Sequence, residues 1–218
     1  MKRLVMLSFW LLALVCAANA SDIYNTLRSS TGGVDPVSTL GPLADSFSTG
    51  PGNFQLNKIG VLLNGHLRTA GAVSIDLLSS RRGSPAPGSF LLHLGTVSYA
   101  SLSSSPADFF FFAAYPLASH TRYWIQVSDT SAPSVLVHSA NWAWTLDQTA
   151  LGEAGEFFSN RNGVADNSAG PYQMEVDVVP THKLQNGVVQ APVPEPSDLL
   201  LLGSGLLGVI GAVRRKLT

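Results

Sequence analysis

Apolar residues recur at every second position in segment after segment of this chain, and a period of two is the signature of a half-buried β-strand. Val73, Ile75 and Leu77 alternate with Ser74 and Asp76. Tyr123, Ile125 and Val127 alternate with Trp124, Gln126 and Ser128. Tyr172, Met174, Val176 and Val178 alternate with Gln173, Glu175 and Asp177. The stretch from Phe54 to Leu63 reads as one long strand or a bulged one, and 90–94, 96–102 and 108–113 add further candidates. Trp142-Ala-Trp144-Thr-Leu146 places both indoles on one face. Turn clusters rich in Gly, Pro, Ser and Asn separate these runs at 81–88, 103–106, 128–133 and 159–163. No amphipathic helix interrupts them. Roughly eight to ten short strands with regular turns predict an all-β fold, an antiparallel β-sandwich of jelly-roll type.

The two ends follow other rules. Lys2 and Arg3 precede an apolar run at 4–15, and Ala18-Asn19-Ala20 has the small-x-small form of a secretory cleavage site. A signal peptide is therefore expected over 1–20, cut by signal peptidase after Ala20. Its Cys16 is the only cysteine in the chain, so the mature protein would hold no disulfide, no catalytic thiolate and no Cys-ligated zinc. At the other end, Pro194-Glu195-Pro196 leads into an uncharged run at 199–213 that contains four glycines and stops at Arg214-Arg215-Lys216. As a helix this run would reach roughly 22 Å, short of the roughly 30 Å hydrocarbon core, and would span a membrane by local thinning or snorkelling of its flanks. The basic tip would stay on the cytoplasmic side and the body outside. The two prolines hold an extended, accessible stretch ahead of the helix, which is what a protease can grip.

Pro-Glu-Pro box, short membrane helix and basic tip, in that order, resemble the PEP-CTERM sorting signal. That resemblance implies processing by exosortase, a membrane-embedded transpeptidase-like protease of Gram-negative, polysaccharide-producing bacteria. The sorting signal would occupy 194–218, with Pro194, Glu195 and Pro196 as the recognised box and Arg214, Arg215 and Lys216 as the tip. A linker at 188–193 would join it to an extracellular domain at 21–187. The protein would be exported through the inner membrane, held transiently by its C-terminal helix, and then reach the cell surface or the medium.

The body has landmarks of its own: IYNTL at 23–27, LADSFSTG at 43–50, LNKIGVLLN at 56–64, SIDLLSSRRGSPAPG at 74–88, HTRYWIQVSD at 120–129, WAWTL at 142–146 and GPYQMEVD at 170–177. Their order resembles the choice-of-anchor domains, specifically the R type, which occur fused to PEP-CTERM and other surface anchors. These are strand and turn patterns. They imply a surface-exposed β-domain and bring no catalytic residues with them.

Composition narrows the function. From 21 to 197 the chain has eight Lys/Arg against thirteen Asp/Glu, a formal net charge of −5. A mildly acidic domain with scattered bases lacks the clustered positive field that nucleic acid requires. The histidines, His66, His93, His120, His138 and His182, are far apart and form no H-E-x-x-H pair. There is no G-x-S-x-G elbow and no Gly-rich phosphate loop. No pair of carboxylates stands out as a glycosidase pair. A non-enzymatic protein without cofactor or metal is expected. The loop from Asn160 to Asn167 is rich in oxygen donors but lacks the acidic spacing of an EF-hand and reads as a polar turn.

Two aromatic groups could bind. Trp142 and Trp144 are candidates for stacking on sugar rings, weighed against the core role that large aromatics usually take. Tyr123 and Trp124 fall on opposite faces, so only one of them could join such a platform, and 109–112 reads as core plus edge. The expectation is a secreted or cell-surface structural or adhesive protein associated with extracellular polysaccharide or other matrix proteins. The alternatives are a carbohydrate-binding module with a defined pocket and, behind it, a glycan-processing hydrolase.

Overall fold

Strand β4 (Phe54–Gly65) is the spine of the molecule, and its side-chain parity changes midway. Leu56 points inward, and so do Ile59, Val61 and Leu63, which is impossible for an unbroken period of two. Asn57 absorbs the difference: the register with both neighbours shifts between Leu56 and Lys58, the mark of a β-bulge. The bulge turns Lys58 and Gly60 to the outer face and gives the core Ile59, Val61 and Leu63. The computed structural model describes residues 20–65, 71–130 and 140–181.

The remaining strands are β1 (Ser21–Asn25), β2 (Thr31–Pro36), β3 (Leu43–Ser48), β5 (Ala72–Ser80), β6 (Pro87–Ser98), β7 (Ala107–Leu117), β8 (Arg122–Asp129), β9 (Ala140–Thr145), β10 (Phe157–Asn160), β11 (Gly163–Asp166) and β12 (Met174–Pro180). A single helical turn, α1 (Val37–Leu40), joins β2 to β3. One antiparallel sheet runs β1-β12-β4-β9-β2, with β7 also on β4. β12 and β9 take successive parts of one edge of β4, while β7 lies along the other over Phe54 to Leu63. The second sheet runs β11-β10-β3-β8-β5-β6. The chain passes repeatedly from one sheet to the other, so the inner faces close on a common core. Ile59, Val61, Leu63, Trp142, Met174, Val176 and Val178 from the first sheet meet Leu43, Phe47, Val73, Ile75, Leu77, Ile125 and Val127 from the second.

The antiparallel β-sandwich expected from the alternation is what the described residues form. Some boundaries differ. The separate strands expected at 90–94 and 96–102 are one strand, β6, followed by a 3-10 turn at Tyr99–Ser101. The polar loop from Asn160 to Asn167 is a hairpin, β10–β11, turned by an Asx turn in which Asn160 Oδ1 accepts from the Asn162 amide at 2.9 Å. Gly163 at its tip has φ +122°, which only glycine adopts without strain. The end of the expected domain, the linker at 188–193, the tail and most of the signal peptide lie outside the described residues. Among the described residues no helix is long and apolar enough to cross a membrane.

Candidate ligand-binding face

The outer face of the first sheet carries its chemistry in two rows fixed by register. In one, Phe112 on β7, Lys58 on β4, Asp177 on β12 and Asp22 on β1 are successive neighbours. In the next, Phe110, Gly60, Glu175 and Asn25 are neighbours in the same way. Alternation along β7 puts Phe109 and Phe111 inward and Phe110 and Phe112 outward, with Phe110 46% and Phe112 75% exposed. Phe111 rests on Gly95 of β6, where a Cβ would come within 2.5 Å of its ring. The Phe110 ring lies over Gly60, which has no side chain to lift it.

Beside these rings is a charged cluster. Lys58 Nζ is 2.6 Å from Glu175 Oε1, 3.4 Å from Asp177 Oδ2 and 5.3 Å from the centre of the Phe110 ring. The ammonium thus has two carboxylates and a cation–π contact. Its hydrogen bond to Glu175 is the largest cause raising the Lys58 pKa. Asp22, Glu175 and Asp177 bring oxygens within 4.8 Å of one another, a spacing that could hold a metal ion. Lys58 already supplies the positive charge there. Burial, and then the nearby Asp22, raise the pKa of Asp177 against the pull of Lys58. The result is an exposed pair of phenylalanine rings beside a mostly shielded Lys58–Glu175–Asp177 cluster.

The candidate stacking residues sit elsewhere. Trp142 is fully buried, stacked on Tyr172 with centroids 4.8 Å apart and planes at 16°, and its Nε1 donates to the Gln173 carbonyl at 2.9 Å. It has no face left for a sugar, which corrects its candidacy. Trp144 is half-buried; its ring covers Gly32 and Gly33 of β2, so it too serves packing. Tyr123 and Trp124 do fall on opposite faces and are both buried. Tyr123 stacks on Phe47, and Trp124 joins Ala44, Leu78 and Phe157 on the outside of the second sheet, donating from Nε1 to Ser80 Oγ at 2.9 Å. His93 pairs with Asp76 at 2.7 Å, His120 takes a turn conformation with φ +51°, and His66, His138 and His182 lie outside the described residues.

Sequence reasoning passed over Lys58, Glu175 and Asp177, which come together only through the pairing of β4 with β12. It also passed over Asp45, whose signal was legible: an acid between Leu43 and Phe47 at an inward position of an alternating strand. Its carboxylate is completely buried, accepting from the Tyr172 amide at 2.5 Å and from Asn167 Nδ2 at 3.2 Å. Burial pushes its pKa well above the usual carboxylate range.

The tail is placed by comparison. Residues 192–216 match the PEP-CTERM protein-sorting motif, and Pro194, Glu195, Pro196, Arg214, Arg215 and Lys216 all fall inside the match. The chain therefore carries the signal of an exported surface protein sorted by exosortase. A solved structure of the cysteine protease and lectin-like domains of Cwp84, a surface layer associated protein of Clostridium difficile, is similar over 65% of this chain and 33% of that one, with 12% identity and a TM-score of 0.42. No curated protein matches the chain.

Proposed function

We propose that this is a structural or adhesive domain of the extracellular polysaccharide matrix, delivered by exosortase after removal of a signal peptide at 1–20. The observation that carries this is the sorting motif at 192–216, because it fixes where the body works. The order of landmarks that resembles choice-of-anchor R domains points the same way. The outer face of the first sheet supplies the contact. The negative face of an exposed phenylalanine attracts the C–H face of a pyranose ring, and the adjacent acceptors suit its hydroxyls. Phe112 and Phe110 take the stacking role for which Trp142 and Trp144 were candidates. This face binds without turnover, its carboxylates Glu175 and Asp177 being paired with Lys58. The biofilm setting, the polysaccharide and any matrix-protein partner belong to this proposal.

The test is retention of the mature protein on extracellular polysaccharide purified from the producing bacterium, comparing the native chain with Phe112→Ser and Phe110→Ser. Stacking on an exposed aromatic predicts about a thirtyfold loss in the double variant, on the order of 1 kcal/mol per ring. Equal retention of both proteins, or none by either, would remove the polysaccharide reading and leave a surface domain with another partner.

A further inference from the structure

The interior holds more carboxyl groups than its cations can pair. Asp45 and Glu153 are 0% and 5% exposed, and among the described residues no lysine, arginine or histidine pairs with either. The nearby half-buried guanidinium of Arg122 is committed to Glu156, with Nε at 3.0 Å from its Oε2. Two buried oxygens there have no hydrogen-bond donor: Glu153 Oε2 and the side-chain oxygen of Asn167, a residue 2% exposed. Buried polar groups are normally satisfied, and a buried carboxylate without a counter-charge is far more costly than an unpaired amide.

These groups lie on three segments that backbone and side-chain hydrogen bonds tie together. Asp45 lies on β3 opposite Phe158 of β10. The pairing of Phe157 with Asp166 closes the β10–β11 hairpin and brings together the residues flanking it. The Asn167 amide donates to the Glu156 carbonyl, and the Glu156 amide donates to that of Glu153, both at 3.1 Å. Asn167 Nδ2 donates to Tyr24 Oη at 3.0 Å and to Asp45 Oδ1, which fixes its amide at the Asp45 carboxylate. The Tyr24 phenol registers the whole group: burial, and then the charges of Asp45, Glu153 and Glu156, push its pKa well above the usual value.

We propose that the domain binds one hard divalent cation of the calcium class, held by the Asp45 carboxylate, the Asn167 side-chain oxygen and the Glu153 carboxylate. All the donors are oxygens, which suits a hard cation. A mixed set of carboxylate and amide oxygens suits the adaptable coordination of calcium better than the strict octahedron of magnesium. The cation would supply the missing positive charge and give both orphan oxygens a partner. It would also pin the hairpin and the preceding turn to β3 and β1, making the domain's stability depend on calcium outside the cell.

The experiment is thermal unfolding of the mature protein, first in excess chelator and then in calcium or magnesium, alongside terbium luminescence sensitised by the protein's aromatic residues. At about 10 mM calcium and an affinity of the order of 10⁻⁴–10⁻³ M, typical of extracellular modules, the midpoint should rise by roughly 4–8 °C. Magnesium should give a smaller rise. Glu153→Gln should lose most of the calcium shift and weaken terbium binding. Asp45→Asn should abolish both, and if that variant fails to fold, Glu153→Gln decides. Asp177→Asn, on the outer face, should leave the shift intact. A native protein whose melting ignores calcium and which binds no terbium would overturn the proposal. So would a shift that disappears in Asp177→Asn but survives in Glu153→Gln.

Discussion

Trp142 and Tyr172 stack almost face to face in the centre of the sandwich, 4.8 Å apart, with the indole N–H tied to the Gln173 carbonyl. Trp142 comes from β9, and Tyr172 leads into β12. The stack therefore fixes the segment before β12 against β9, where Trp144 and Tyr172 also form an isolated bridge. Truncating the indole leaves a large cavity and removes one of two donors to the Gln173 carbonyl, which keeps the Leu62 amide. Trp142→Ala should lose about 3–5 kcal/mol of stability in urea unfolding, with Trp142→Phe losing distinctly less. A loss below about 1 kcal/mol would mean that the ring is not a core element and would return it to the stacking candidates.

Gly33 makes room for the second tryptophan. A Cβ there would come within 2.5 Å of the Trp144 indole, and Gly32 faces the same ring. Gly33→Ala should therefore destabilise by about 1–3 kcal/mol through overpacking. Pairing it with Trp144→Leu should recover most of that loss, because the clash disappears with the ring. Simple additivity of the two substitutions would show that Trp144 is not what excludes a side chain at Gly33.

Stability should fall as pH rises when the protein is held in chelator. Burial raises the Asp45 pKa in the fold, so the folded state binds its proton more tightly than the unfolded state. That contribution is complete below the unfolded carboxyl value of about 3.9 and is lost as pH climbs through the folded value. Glu153 is raised by its burial and then by Asp147, and acts in the same direction. Asp147 and Asp166 are lowered by hydrogen bonds from Thr149 and Ser168 and act oppositely, but both are at the solvent surface, where such effects are small. Melting curves from about pH 5 to about pH 8 should show a declining midpoint in the native chain and a flatter profile in Asp45→Asn. A midpoint that rose over this range would contradict a buried, uncompensated Asp45.

Local pattern carried much of the architecture. Val73-Ile75-Leu77 and Tyr123-Ile125-Val127 alternate because each strand has one face in the core, and both are strands, β5 and β8. The bulge in β4 was visible as a break of parity between Leu56 and Ile59. What local pattern could not carry was pairing. Lys58 meets Glu175 and Asp177 only because β12 returns beside β4, and nothing near Lys58 in the chain announces that. Trp142 and Trp144 stayed open between core and stacking for a related reason, and the core role is the one they take. Their spacing put them correctly on one face, but only the register of β9 with β2 and β4 decides that this face is the inner one. The exposed pair Phe110 and Phe112 followed from the opposite cause, since an edge strand such as β7 has an outer face that nothing in its own sequence distinguishes from the inner.

Export and sorting are tested most directly by the intact mass of the protein recovered from the surface or medium of its own cells. The expected species begins at Ser21 and ends close to Pro196, with or without an added group. Replacing Pro194, Glu195 and Pro196 by alanine should retain the uncut chain in the inner membrane. A native species that still included residues 199–218 would contradict sorting by exosortase and leave a domain held by a plain membrane anchor.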